Sequence, residues 1–222
     1  KRLDLVKTSI AEAESVQIHT FLREGEVDEN IFELSEEKGI DLIVMGTFGI
    51  NGLKDRIWGS KTAGLTGKTN VPVMVIPYEY NWKVPEKILL ATSFFEEDRN
   101  VLEPITGLTD AFKATLHTII FTDEDTADAA LFLERGMNMA DYERKLKKLL
   151  NTESIITGHL SGSKFEDTLQ DYIKNNDIDI LTMISYQRSL WDRIFHPSVT
   201  RRMSYHTTIP LLVIPANKKG EE

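Results

Sequence analysis

The stretch "DLIVMGTFGINGLKDRIWGS" (Asp41–Ser60) joins a short apolar run, Asp41–Met45, to a loop that holds four of the chain's 13 glycines. An apolar run of strand length that ends in glycines reads as a buried strand followed by a turn. Its framing words return in "DILTMISYQRSLWDRIFHPS" (Asp179–Ser198), where every glycine has gone. Asp41 and Asp179 stand 138 residues apart, and so do Pro77 and Pro215. At that interval "VPVMVIP" (Val71–Pro77) faces "IPLLVIP" (Ile209–Pro215). "DRIWGS" (Asp55–Ser60) faces "DRIFHPS" (Asp192–Ser198) one residue out of step. A period this long predicts duplicated domains, since solenoid repeats run about 20–50 residues.

Each copy alternates helices and strands. The first is predicted to run through a helix over Lys1–Ser15, a strand over Val16–Leu22 and a helix over Asp28–Lys38, with Ile31 and Leu34 inward and Gly39 at its stop. A strand over Leu42–Met45, the glycine loop, a helix over Lys61–Lys68 and a strand over Val73–Ile76 follow. The second copy repeats that order: helix Met139–Leu150, strand Ile155–His159, helix Phe165–Asn175, strand Ile178–Met183, helix Val199–Tyr205 and strand Leu211–Ile214. Ahead of these it has a front section without a counterpart: strand Lys87–Ser93, a helix over Arg99–Phe112 and strand Thr115–Phe121.

Strand–helix alternation implies parallel strands with helices on both faces. The expected fold is α/β, two tandem doubly wound open parallel sheets of Rossmann-like type, the first incomplete. The expected divisions are residues 1–77 for the back part of a first domain, 78–85 for a linker and 86–222 for a complete second domain. A first domain without its central strand has an open sheet edge, which predicts a truncated chain or a partner that fills the gap.

A formal charge of -9 and a pI near 5.2 argue against nucleic acid and anionic membranes as partners. They leave room for an anionic ligand held by backbone N–H groups. There are no cysteines, which excludes disulfides and thiolate metal sites. No apolar run approaches the roughly 20 residues of a membrane span, and the chain opens at Lys1 without a methionine. The five histidines lack metal-ligand spacing. "GLTGKT" (Gly64–Thr69) is no Walker loop, because Thr62 stands where that loop needs its first glycine. Gly67 there reads as a helix stop. The acidic positions Glu33, Glu36, Glu37 and Asp123–Asp128 read as solvated surface.

Open α/β sheets bind ligands beyond the carboxyl ends of their strands, and Gly46 begins just there. The spacing is Gly46-x2-Gly49-x9-Gly59-Ser60. Glycine permits positive φ and close backbone approach, and Gly59-Ser60 would offer free N–H groups and a hydroxyl at the start of a helix. This loop, with "DLIVM" before it and "VPVMVIP" after it, resembles the universal stress protein family in its tandem-domain form. The resemblance implies a cytoplasmic stress-response protein that binds ATP, with or without Mg, or a related adenine nucleotide. By position it implies Met45 and Thr47 near adenine or ribose, and Gly46, Gly49, Gly59, Ser60 and Thr62 around the ribose and phosphates. Lys61 stands where the family usually has an apolar residue, and either pairs with a phosphate or faces solvent.

No nucleophile–base pair or carboxylate dyad accompanies the loop, so the expected role is that of a binder and switch with at most slow hydrolysis. The alternatives are a scaffold without nucleotide, built for dimerisation, and an ATP pyrophosphatase or adenylyl transferase with a phosphate motif near the first strand. In the second copy Gly46 becomes Ile184, Gly49 becomes Gln187 and Gly59-Ser60 becomes His196-Pro197-Ser198. Ser93 stands where the family has an acidic residue, and the second site is expected to be degenerate. Asp55-Arg56-Ile57-Trp58 recurs as Asp192-Arg193-Ile194-Phe195 and reads as packing scaffold. The closing strands "VMVIP" and "LLVIP" are expected either to pair across a homodimer or domain boundary or to lie as ordinary edges.

Overall fold

Apolar strands and amphipathic helices alternate along the chain and build one mixed sheet covered on both faces. In the computed structural model the described residues are 7–8, 16–46, 69–77, 80–186 and 208–216. The strands are β1 (Ile43–Gly46), β2 (Val73–Ile76), β3 (Lys87–Thr92), β4 (Thr115–Asp123), β5 (Ile155–Gly162), β6 (Ile180–Tyr186) and β7 (Leu211–Ala216). The helices among the described residues are α1 (Val27–Lys38), α2 (Arg99–Phe112), α3 (Ala129–Leu150) and α4 (Phe165–Asn176).

The strand order is β1-β2-β7-β6-β3-β4-β5. Every neighbouring pair is parallel except β2 and β7, which run antiparallel with Val73 opposite Val213 and Val75 opposite Leu211. The two sheets expected from the sequence therefore meet edge to edge through their closing strands, as one seven-stranded sheet. Apolar side chains on both faces of these strands explain why they read as continuous runs rather than as alternation.

Alternate residues feed two core layers. Leu89, Ala91, Ile119, Leu181, Met183, Leu211 and Val213 pack with Leu169 of α4 and with Ile31 and Phe32 of α1. Ile88, Leu90, Leu116, Ile120, Ile180, Leu212 and Ile214 pack with Val101, Leu102 and Ile105 of α2 and with Tyr142 and Leu146 of α3. The doubly wound arrangement follows. Asp98 caps α2 through the N–H of Asn100 (3.0 Å), and Asp128 caps α3 through that of Leu131 (2.8 Å).

Three differences from the sequence reading have physical causes. Val16–Leu22 lies outside any strand. Its counterpart β5 is held by β4, whereas among the described residues no strand pairs with Val16–Leu22, and an alternating pattern without a ladder does not make a strand. The helix expected from Met139 begins ten residues earlier, at Ala129, because Asp128 supplies its cap. α1 turns Ile31 and Phe32 to the core and leaves Leu34 half-buried, while Gly39 closes it at φ 59° as expected. The helices expected over Lys61–Lys68 and Val199–Tyr205 and the Asp55–Trp58 motif lie outside the described residues. So does that over Lys1–Ser15, apart from Lys7 and Thr8, which are helical.

Candidate nucleotide site at the carboxyl end of β1

β1 ends on Met45 and Gly46, the two expected site residues that the structure describes. Thr47, Gly49, Gly59, Ser60, Lys61 and Thr62 lie outside the described residues. Met45 is half-buried, with its side chain against the core layer that holds Ile43, Ile31 and Phe32. Gly46 is exposed and pairs with Ile76 of β2. Gly46 does not use the positive φ that glycine permits, since among the described residues only Gly25 and Gly39 are glycines of that kind. A Cβ built on Gly46 meets nothing within 4 Å. Among the described residues, neither backbone conformation nor crowding requires glycine there.

The equivalent place in the other half is filled. Ile184 of β6 is 5% exposed, is paired with Ile214 and belongs to the layer that Phe95, from the turn after β3, packs against. An adjacent cluster, not anticipated from sequence, bridges the carboxyl ends of β3 and β4. Arg135 of α3 donates through Nη1 to the Phe121 carbonyl (2.8 Å) and the Thr122 hydroxyl (2.7 Å), and through Nη2 to the Ser93 carbonyl (2.6 Å).

Thr122 Oγ1 also lies 2.8 Å from His159 Nε2. Guanidinium only donates, so the hydroxyl accepts from Arg135 and keeps its own proton available to His159. Burial, helped by the Arg135 charge, holds the His159 pKa below its ordinary value, in keeping with a neutral ring that accepts at Nε2. Arg135 lies in the first ten residues of α3, which carry no clear helical apolar period; its role was legible only once the helix was extended to Asp128.

At the amino ends of the strands, Asp179 is 3% exposed. It accepts from the N–H of Glu86 (2.7 Å) and of Lys87 (2.9 Å) and pairs with Lys83. Burial raises its pKa, but Lys83 and the two amides outweigh that and leave it lowered. Asp179 thus ties the segment that enters β3 to the start of β6.

An open, doubly wound α/β sheet with a glycine at the carboxyl end of a strand defines a class of ligand-binding folds. The sequence model of the universal stress protein family matches residues 1–77 and 85–215, and this chain belongs to that family. Universal stress protein YxiE of Bacillus subtilis is 36% identical over 76 residues, which are 34% of this chain and 51% of YxiE. The chain thus spans about half the length of that curated relative. A universal stress protein structure from Archaeoglobus fulgidus aligns with TM-score 0.69 at 18% identity, covering 98% of this chain and 76% of that one, a likeness of fold. Another solved universal stress protein, in complex with cAMP, aligns at TM-score 0.42 and 14% identity over 60% of this chain and 98% of its own.

Proposed function

We propose that this chain binds ATP or a related adenine nucleotide through the loop that leaves β1, and acts in the stress response as a binder and switch. One observation carries the reading. Gly46 sits at the carboxyl end of a parallel strand in ordinary extended geometry, and among the described residues nothing lies within 4 Å of where a side chain would stand. Among the described residues chain conformation does not account for the missing Cβ; the close approach of a ligand would. The residues present fit the group. Backbone N–H groups of Gly46, Gly49 and Gly59 with the Ser60 and Thr62 hydroxyls are donors suited to ribose and phosphate oxygens, and Lys61 supplies a cation. Met45 and Thr47 would border the base or ribose. Mg, where it comes with the nucleotide, would serve as its counterion.

The binder is asymmetric: buried Ile184 stands in the second half where Gly46 stands in the first, so one nucleotide is expected per chain. A dimer through the closing strands is not part of this reading, because β2 lies between β1 and β7, and β7 between β2 and β6. The test is calorimetric titration of the full chain with ATP. Saturable binding that Gly46→Val abolishes is expected; equal heats for wild type and variant would defeat the reading.

A further inference from the structure

α3 rests on two different beds. Beyond Met139 the bed is mainly apolar: Tyr142 and Leu146 pack in the layer of Leu116, Ile120 and Ile155, and Glu143 accepts from the Thr157 hydroxyl (3.1 Å). Over residues 129–138 it is polar. Leu131 and Arg135 are half-buried there, on the stripe that continues through Met139 and Tyr142, and the other eight residues are exposed. What Arg135 faces is Thr122 of β4, 1% exposed, and beyond it His159 of β5. Among the described residues, Arg135 is the only side chain of residues 129–138 with a hydrogen bond to the rest of the fold. Phe132 adds a ring contact with His159, 4.8 Å between centroids. Gly136 and Asn138, poor helix formers, ease local opening of this part of the helix.

One hydroxyl joins the polar groups. Thr122 Oγ1 accepts from Arg135 Nη1 (2.7 Å) and has its own proton for His159 Nε2 (2.8 Å). That arrangement needs an unprotonated Nε2. A proton added there removes the acceptor and brings a second cation against the first, both within 2.8 Å of one oxygen. The nearby carboxylates are engaged elsewhere. At the end of β4, Asp123 accepts from the Asp125 amide (2.9 Å) and Glu124 from the Ser161 hydroxyl (2.7 Å). By strand alternation β5 brings Thr157 and Ser161 to the same face, and neither titrates. From α3, Arg135 is the charge that bears on the ring. Burial and Arg135 together hold the His159 pKa below its ordinary 6.5. A detached ring therefore binds a proton more readily than a docked one. Docking is favoured in full above about 6.5 and weakens as pH falls from there towards the lowered value.

We propose that residues 129–138 form an acid-released arm, latched at neutral pH by Arg135, Thr122 and His159. Protonation of His159 opens the latch and withdraws the guanidinium from the Ser93 and Phe121 carbonyls. It thereby uncovers the carboxyl ends of β3 and β4, while Tyr142 and Leu146 keep the rest of α3 docked.

The test is amide exchange of the full chain from about pH 8 to about pH 5, expressed as protection factors so that the intrinsic pH dependence of exchange drops out. Protection over residues 131–138 is expected to fall about threefold or more, with residues 142–150 unchanged. His159→Gln keeps an acceptor but cannot titrate, and is expected to abolish the fall. An NMR titration of the imidazole gives a second reading: His159 is expected to titrate below 6.5 in the wild type and higher in Arg135→Gln. Protection that does not depend on pH overturns the proposal, as does an equal fall in His159→Gln or a parallel loss over residues 142–150. An imidazole whose titration is unmoved by Arg135→Gln overturns it as well.

Discussion

Asp179 offers a perturbation whose parts separate. Its carboxylate accepts two amides, at 2.7 and 2.9 Å, and pairs with Lys83, whose side chain is 60% exposed. A hydrogen bond to a charged group contributes about 1.5–3 kcal/mol net. Glu86 is exposed, so water re-solvates its amide when the acceptor goes, while Lys87 is half-buried. Asp179→Ala is therefore expected to cost about 3 kcal/mol. Asp179→Asn keeps one oxygen as acceptor and is expected to cost about 1.5 kcal/mol. Lys83→Ala removes only a solvent-screened partner and is expected to cost about 0.5 kcal/mol.

The effect depends on pH in a fixed direction. The folded pKa of Asp179 lies below its ordinary value because Lys83 and the amides outweigh burial. The stabilisation is thus full above the unfolded value of about 3.9 and is lost as pH falls through the folded one. Urea unfolding followed by circular dichroism at pH 7, and then at descending pH, reads both features. If Lys83→Ala costs as much as Asp179→Ala, or if the deficit of Asp179→Asn stays undiminished in acid, the amide latch is the wrong account.

Other outcomes follow from single features. The Thr118 and Thr182 hydroxyls are buried with no partner among the described residues, so Thr118→Val and Thr182→Val should each stabilise the fold by about 1 kcal/mol in urea titrations. Lys113 and Asp177 close helices at φ 55° and 52°, and replacing either with glycine should gain about 0.5 kcal/mol, read as a raised Tm. Arg135→Ala should speed amide exchange over residues 129–138, while leaving the start of β3 protected. Gly46→Ala should leave unfolding within about 0.5 kcal/mol of wild type, because its Cβ meets nothing within 4 Å among the described residues, and yet weaken nucleotide binding.

Much of the architecture was legible because apolar strand runs and helix stops are local signals. α2 and β2 matched their expected spans, and α4 came within a residue of its own. What sequence could not fix depends on neighbours. Val16–Leu22 has the alternation of a strand, but strand formation requires an adjacent edge. The closing strands were compatible with pairing across subunits, across halves or not at all; the antiparallel register of Val73 with Val213 is a tertiary choice between equally apolar strands. Of the candidate site, the position of Gly46 at a strand's carboxyl end was legible from "DLIVMG". Its negative φ was not, because glycine's freedom says where strain is permitted and not where it occurs. Arg135 escaped notice because its acceptors, Ser93, Phe121 and Thr122, come from two separate strand ends.

Native mass spectrometry of the full chain with ATP tests the central claim most directly, since it counts nucleotides per chain. One ATP per chain, lost in Gly46→Val, is the predicted result. No adduct would remove nucleotide binding from the account. Two would contradict the assignment of a single competent site, with Ile184 filling the other.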